Sequence, residues 1–251
     1  MARRRRPTVE GSATKTLDEL ESAGDRIVLW LAENQRALIS IAVGILLVAG
    51  GWGYVSTTAR ESSDQADTAL SEVQNGYRLA MGAAPGSVSI PEPANPEAAR
   101  EIREDYTARY AEVGEAHAGS GPGGVAYLES GKLQQALGDY EAAVVAYRAG
   151  VDSLPEEDAL RGFLWSRMGS AYEQSDQWAE AAAAYAMAGA LQRYALRAGA
   201  QADAIRAYIH AGETSTALGA ADVLARAEPD FALPEFLQSR LDELRIAAVS
   251  D

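Results

Sequence analysis

The sequence has no cysteine, two histidines and three phenylalanines among its 251 residues. Without a thiol the chain cannot form a disulfide, use a thiolate nucleophile or offer zinc a sulfur ligand. His117 and His210 show no metal-ligand spacing, so we expect both at the surface or in packing. Aromatic residues make up 7% of the chain and alanine is abundant, a composition that favours closely packed helices over sheets.

Basic residues are also scarce, since the chain has 22 Lys and Arg against 36 Asp and Glu, which gives a net charge of −14. The deficit lies in residues 60–251, where fifteen basic side chains face thirty acidic ones. Such a surface repels nucleic acid and anionic lipid, so we expect no nucleic-acid partner. Carboxylate pairs such as Glu156–Glu157 are typical of solvated surfaces. We therefore predict no catalytic residue, no metal site and no cofactor.

One long stretch, residues 37–59, carries no charged side chain. A helix of this length spans about 35 Å, which is enough for a hydrocarbon core of about 30 Å. Trp52 and Tyr54 lie near its end, where aromatic rings favour the headgroup layer. The alternatives are a buried core helix, which rarely lacks a polar face for so long, and a cleaved signal peptide, whose apolar region is shorter. The sequence predicts a single transmembrane helix over 37–59.

Seven basic residues precede this stretch, and Arg60 and Arg78 are the basic residues in the twenty or so that follow it. The positive-inside rule predicts a cytoplasmic N-terminus and an external C-terminal domain. Residues 1–15 are interpreted as a disordered basic tail, whose four arginines either contact anionic lipid or set the topology. Residues 16–36, beginning with the capping box of Thr16 and Glu19, are predicted as a cytoplasmic amphipathic helix.

Beyond the apolar stretch, residues 60–82 predict a juxtamembrane external helix. Residues 83–96 hold four prolines with glycine and serines, and they predict an extended linker. Residues 97–251 are interpreted as one helical domain. Its last helix is expected over 234–246, where it would cap the domain.

A pattern of small and aromatic residues repeats from residue 124 onward, and equivalent positions lie 36 to 38 residues apart. Three tight turns mark the units, namely Leu137-Gly138-Asp139-Tyr140, Ser175-Asp176-Gln177-Trp178 and Ala211-Gly212-Glu213-Thr214. The pattern resembles the tetratricopeptide motif, a pair of antiparallel helices. The second unit matches at nearly every position, whereas the third has Ile205 where a glycine is expected. The predicted fold is all-α, a transmembrane helix followed by a tetratricopeptide-like solenoid.

The repeat register places small residues where two helices touch and assigns the aromatic residues to the gap before the next pair. In that register Gly169 should face the partner helix near Ala181, with no room for a side chain beyond a methyl group. The position that follows the close-packed one on the first helix of each unit should line a concave binding surface. The candidate partner-binding residues are Lys132, Gln135, Ser166, Ser170, Glu173 and Arg206.

Local segments of the sequence resemble a known family. The segment WLAENQRALISIAVGILLVAGGWGYV and the motif LGDYEAA of the first repeat are similar to the ancillary-subunit family of the bacterial Sec translocon. The resemblance covers about residues 24–245, and the longer basic tail and the Pro-rich stretch depart from it. It implies a single-pass protein of the bacterial inner membrane with periplasmic repeats. The implied partners are a membrane-anchored periplasmic chaperone and subunits of the translocon.

These observations predict a membrane-anchored scaffold of the cell envelope that binds protein partners and assists secretion or chaperone recruitment. The alternative is a structural subunit of a membrane-bound assembly, and an enzyme is the least expected class. The oligomeric state stays open.

Overall fold

The computed structural model describes residues 62–87 and 89–250, and within them every regular element is an α-helix. We number nine helices in this part of the chain: α1 (62–80), α2 (Pro96–Ala116), α3 (Gly121–Leu137), α4 (Tyr140–Ser153), α5 (Leu160–Gln174), α6 (Trp178–Ala190), α7 (Arg197–His210), α8 (Thr214–Ala227) and α9 (Glu235–Ser250). None of these helices combines the length and apolarity that a membrane crossing needs. The predicted membrane span (37–59), basic tail (1–15) and amphipathic helix (16–36) lie outside the described residues.

Helices α3 to α8 form three hairpins, α3–α4, α5–α6 and α7–α8, because each pair is joined by a short turn and packs along its length. Every turn contains one residue with a positive φ at the equivalent position: Gly138 at 80°, Asp176 at 59° and Gly212 at 79°. The left-handed conformation strains any side chain with a Cβ, so glycine suits the first and third turns. Asp139 then caps α4 by accepting a hydrogen bond from the backbone N–H of Ala142.

Each of the first two hairpins is closed by a tyrosine that lies against a glycine of the same hairpin. An ideal Cβ on Gly131 would lie 2.3 Å from the ring of Tyr147, and one on Gly169 would lie 2.8 Å from the ring of Tyr185. The prediction that Gly169 faces the partner helix without room for a side chain is confirmed, although the residue that it meets is Tyr185, one turn beyond Ala181. The rings also reach the next hairpin, because Tyr147 shares a cluster with Leu164 and Met168 of α5, and Tyr185 shares one with Ala204 and Ala207 of α7.

In the third hairpin the large residue stands at the glycine position and the small residue stands at the tyrosine position. Ile205 stands at the glycine position and Ala221, sixteen residues later, stands at the tyrosine position. Ile205 is fully buried and Ala221 is nearly so, in one cluster with Ala217 and Leu224. The branched side chain on α7 thus fills the space that a ring from α8 would occupy, and the departure from the motif preserves the close contact.

Helices α1 and α2 form a further packed pair before the first repeat. Tyr77 and Tyr106 pack edge to face with ring centroids 5.5 Å apart, in a cluster that also includes Leu70 and Tyr110. Leu133 of α3 belongs to the same cluster, so α1 and α2 extend the array of helices.

The segment between α1 and α2 is free of helix but is tied to both helices. Met81 and Ala83 are buried. The Arg78 guanidinium donates a hydrogen bond to the carbonyl of Ser87, and Arg103 of α2 forms an ion pair with Glu92. The Pro-rich stretch that the sequence predicts as a linker is thus attached to this helix pair at Ser87 and Glu92.

The last helix covers the end of the third hairpin. Leu237 and Leu241 of α9 are buried against the cluster of Ile205 and Leu224. Helix α9 runs over Glu235–Ser250, four residues beyond the end predicted from the sequence.

Candidate protein-interaction surface

The first helices of the three hairpins, α3, α5 and α7, contact one another in series. Besides its hairpin partner, α5 touches both α3 and α7. We call the surface formed by the outward sides of these three helices the A-helix face. It carries all six residues that the sequence predicts for partner binding, so one surface contains residues that are up to 74 positions apart in the chain.

Two of the six residues lie on α3 and already have partners within the chain. Lys132 Nζ lies 2.8 Å and 2.9 Å from the two carboxylate oxygens of Glu129, one turn earlier. Gln135 accepts a hydrogen bond of 2.5 Å from the hydroxyl of Tyr147. Burial raises the pKa of Tyr147, and the amide oxygen satisfies the hydroxyl that is buried with the ring. Gln135 therefore stabilises the hairpin, whereas Lys132 remains exposed.

Three of the predicted residues lie on α5. The hydroxyls of Ser166 and Tyr194 lie 3.2 Å apart and share a hydrogen bond, which links α5 to the segment before α7. Ser170 Oγ accepts a hydrogen bond of 3.2 Å from the Gln174 amide. Glu173 is partly buried, with 18% of its side chain exposed.

Glu173 forms an ion pair with the sixth residue, Arg206 of α7. Arg206 Nη2 lies 2.7 Å from Glu173 Oε1, and it also donates to Asp203 Oδ1 at 3.3 Å. Arg206 is 24% exposed, and the guanidinium compensates a carboxylate oxygen that water does not reach. Tyr185 lies beside this pair. Burial raises the pKa of its hydroxyl, Glu173 and Asp203 raise it further, and Arg206 lowers it. Because the pair connects α5 to α7, it stabilises the packing of the second hairpin against the third.

Three further residues lie on α5 and α7, and the sequence analysis named none of them as a binding residue. Arg167 is exposed on α5 between Ser166 and Ser170. Phe163, one turn earlier, is 43% exposed and packs edge to face on Tyr194 with centroids 5.0 Å apart. His210 stacks on Trp178 at 4.3 Å. Helical spacing from the predicted residues would have identified all three.

Titratable groups do not converge on a reaction centre within residues 62–87 and 89–250. No three histidines or carboxylates in that part of the chain could hold a metal ion. A surface depression of about 390 Å³ lies between two connecting segments and is lined by Glu156, Glu157, Leu191 and Arg193, among others. The Glu157–Arg193 pair is 3.5 Å apart, and both of its side chains are more than two-thirds exposed.

Neither a protein-family model nor a curated protein sequence matches this chain. Among solved structures, the chain is similar to a Podosopora anserina protein described as a kinesin light chain with nearly identical TPR-like repeats. The identity is 18% and the TM-score is 0.47, over 74% of this chain and 86% of that one.

The structural class of this protein follows from its own hairpins and does not depend on that similarity to a solved structure. Three consecutive helix pairs share one turn conformation, one close-packed position and one set of contacts between their first helices. The described part of the chain is an α-helical repeat protein with tetratricopeptide-like hairpins.

Proposed function

We propose that this chain is an interaction scaffold that binds a protein partner on the A-helix face. The observation that carries the proposal is the direct contact of α3, α5 and α7 in series, which joins their outward residues into one surface. Stacked helix pairs present extended surfaces of this kind to other proteins. Because Gln135, Ser166, Glu173 and Arg206 have partners within the chain, the face is ordered before a partner arrives, and less conformational entropy is lost on binding.

The test is a photoreactive amino acid incorporated in living cells at one of two exposed sites. A probe at Lys132 lies on the A-helix face, and a matched probe at Ala183 lies on the exposed side of α6. We expect a discrete crosslinked product from position 132 that is absent at position 183. Equal crosslinking from both positions would contradict a dedicated A-helix face.

We further propose that the scaffold is anchored in the bacterial inner membrane by residues 37–59, with its N-terminus in the cytoplasm and its repeats in the periplasm. The support is the uncharged stretch, the excess of basic residues before it and the resemblance of its flanks to the Sec ancillary family. In this proposal the partner is a membrane-anchored periplasmic chaperone beside the translocon.

The topology can be tested by cysteine labelling because the chain has no cysteine of its own. Single cysteines are introduced as Glu10→Cys and Ala225→Cys, the second at an exposed position of α8. In intact spheroplasts a membrane-impermeant maleimide should label position 225 alone. Labelling at position 10 alone would overturn the orientation.

A structural subunit of a membrane-bound assembly is the second candidate, and exposed apolar side chains on the second helices favour it. Val145 is 69% exposed on α4, Met187 is 49% exposed on α6 and Val223 is 55% exposed on α8. The two candidates are separated by the mass of the purified chain in detergent, measured by light scattering. A large homo-oligomer favours the structural subunit, and a monomer favours the scaffold.

A further inference from the structure

Where the second hairpin meets the third, an aromatic ring at the start of α6 is covered by the end of α7. His210, the last residue of α7, stacks on Trp178, the first residue of α6, with ring centroids 4.3 Å apart and an angle of 21° between the planes. A basic side chain in the last turn of a helix also interacts favourably with the negative end of the helix dipole. This junction between two hairpins is therefore closed from within the chain.

The junction between the first hairpin and the second has the ring but not its cover. Tyr140, the first residue of α4, stands 38 residues before Trp178, and Gln174, the last residue of α5, stands 36 residues before His210. These are the spacings between the hairpins, so the positions are equivalent. The Gln174 amide donates to Ser170 of its own helix. Within the described residues Tyr140 has no ring partner, no cation over its ring and no hydrogen bond from its side chain, although it is partly exposed.

A surface depression of about 400 Å³ lies at this uncovered junction. It is lined by Leu137, Gly138, Asp139, Tyr140, Glu141 and Ser175. Three of these groups favour a cation. Glu141 is exposed and has no ion pair in the part of the chain that the structure describes. Asp139 accepts from the backbone N–H of Ala142 and keeps its negative charge beside the ring. Ser175 ends α5, whose last turn has no basic residue to balance the helix dipole.

Among the cationic groups of proteins, the guanidinium of arginine fits this depression best. It is planar, so it stacks on an aromatic face while its edge donates hydrogen bonds to carboxylates, whereas an ammonium group is a compact, strongly hydrated charge. The chain makes the same contact elsewhere, because the guanidinium carbon of Arg109 lies 4.8 Å from the ring centroid of Tyr106, and that of Arg148 lies 4.5 Å from the ring of Trp165. The net charge of −14 attracts a basic segment.

We propose that the junction of the first two hairpins is a binding site for an arginine side chain of a protein partner, with the guanidinium stacked on Tyr140 and paired with the carboxylates of Asp139 and Glu141. The site is formed by the α3–α4 turn, the start of α4 and the end of α5. It therefore lies outside the surface assigned to the proposed scaffold function, and the two assignments can fail separately.

The experiment selects displayed random 12-residue peptides on the full-length chain in mild detergent and then removes those that also bind the Gln174→Arg variant. Residue 174 has the position that His210 has at the next junction, so an arginine there supplies the cover from within the chain. We expect the remaining peptides to share an arginine at one position. Citrulline keeps the plane of that side chain without its charge, and lysine keeps the charge without the plane. Each replacement should weaken binding about tenfold.

Substitutions in the chain test the same contact from the other side. Tyr140→Leu should weaken binding of the arginine peptide about tenfold, and Tyr140→Phe should leave it unchanged, because stacking needs the ring and not the hydroxyl. Glu141→Gln should weaken binding about threefold. Glu180→Gln is the matched control, because Glu180 is exposed in the first turn of α6, at the junction that His210 already covers. It should leave the affinity unchanged.

Three results would overturn the arginine site: no peptide left after the removal step, remaining peptides that share a lysine or no basic residue, and equal affinity of the peptide for Tyr140→Leu and the parent. The replacements within the peptide leave the chain unaltered, so they decide the question even where a variant folds poorly. The crosslinking from residue 132 tests the A-helix face independently. A lost arginine site with retained crosslinking would thus leave the scaffold function in place.

Discussion

At the scale of single residues, the hairpins depend on a small position facing a large one. Gly169 leaves no room for a side chain, because an added Cβ would lie 2.8 Å from the Tyr185 ring. Gly169→Leu should therefore lower the free energy of unfolding by about 1–3 kcal/mol or more. Thermal melting of the full-length chain in detergent measures the loss.

The control for this variant is Gly219→Leu, in the middle of α8. Gly219 is exposed, and nothing lies within 4 Å of the Cβ that it would gain. Leucine is the better helix former, so this variant should gain about 0.5–1 kcal/mol. Equal melting temperatures for the two variants would show that the register of the second hairpin is wrong.

Because the side chains of Ile205 and Ala221 share one space, we expect the effects of substituting them on stability to be coupled. Ile205→Gly should cost at least about 3 kcal/mol, because it opens a cavity and places glycine inside a helix. Ala221→Tyr alone should overpack the same space and lower the free energy of unfolding by about 1–3 kcal/mol.

The double variant restores the arrangement of the other two hairpins. It should be more stable than the sum of the single changes by about 1–3 kcal/mol in urea unfolding. Strict additivity would mean that residues 205 and 221 do not share one space.

The buried tyrosines make the fold sensitive to alkali. Burial raises the pKa of Tyr110, Tyr147 and Tyr185 above the ordinary value near 10. The neutral hydroxyl is thus favoured in the folded state, and this contribution to stability is complete below pH 10. Above pH 10 the unfolded chain loses these protons first, so the free energy of unfolding falls as pH rises.

Tyr147→Phe tests one of these groups. At pH 8 it should cost about 1 kcal/mol, because the hydrogen bond to Gln135 is lost. Between pH 10 and 12 the parent should lose stability faster than the variant, by up to about 1.4 kcal/mol per pH unit. Parallel curves in urea unfolding would contradict an individual role for Tyr147.

At the scale of helices, the ion pair between α5 and α7 joins two hairpins. Arg206→Ala leaves Glu173 half-buried without its cation, so we expect a loss of about 1–3 kcal/mol in the free energy of unfolding. If Arg206 acted only in partner binding, the role for which the sequence proposes it, the same change would leave melting nearly unchanged. Lys132→Ala is the matched control. Its exposed pair with Glu129 should contribute less than about 0.5 kcal/mol.

Double substitution separates the pair from the rest of the surface. Adding Glu173→Gln to Arg206→Ala should recover part of the lost stability, because a neutral amide costs less to bury than a carboxylate. A larger loss from Lys132→Ala than from Arg206→Ala would reverse the two assignments.

At the scale of the whole array, each hairpin is stabilised by the hairpins that it contacts. Leu241 of α9 is 1% exposed in the cluster that contains Ile205 and Leu224. Leu241→Ala should cost about 2–5 kcal/mol. Because each hairpin contacts only its neighbours, hydrogen exchange should accelerate most in α7 and α8 and least in α2 and α3. Uniform acceleration along the chain would indicate one cooperative unit instead.

The sequence alone was sufficient for the hairpins, their turns and the face on which the six candidate residues lie. These features follow from local rules, namely helical period, the conformations that turn residues allow and the spacing of small positions. The second hairpin follows these rules at nearly every position, and its two helices and turn could therefore be predicted. The third departed from the motif at Ile205, and no local rule indicated that Ala221 compensates for it.

The tertiary structure decided which residues are neighbours. It placed Tyr185 on Gly169, used Gln135 to satisfy Tyr147 and buried Glu173 under Arg206. The burial and charge balance of these side chains depend on residues that are 12 to 33 positions away, and periodicity carries no information about them. The sequence therefore determined on which helices the six candidate residues lie, and only the packing of α3, α5 and α7 decided which of them have partners within the chain.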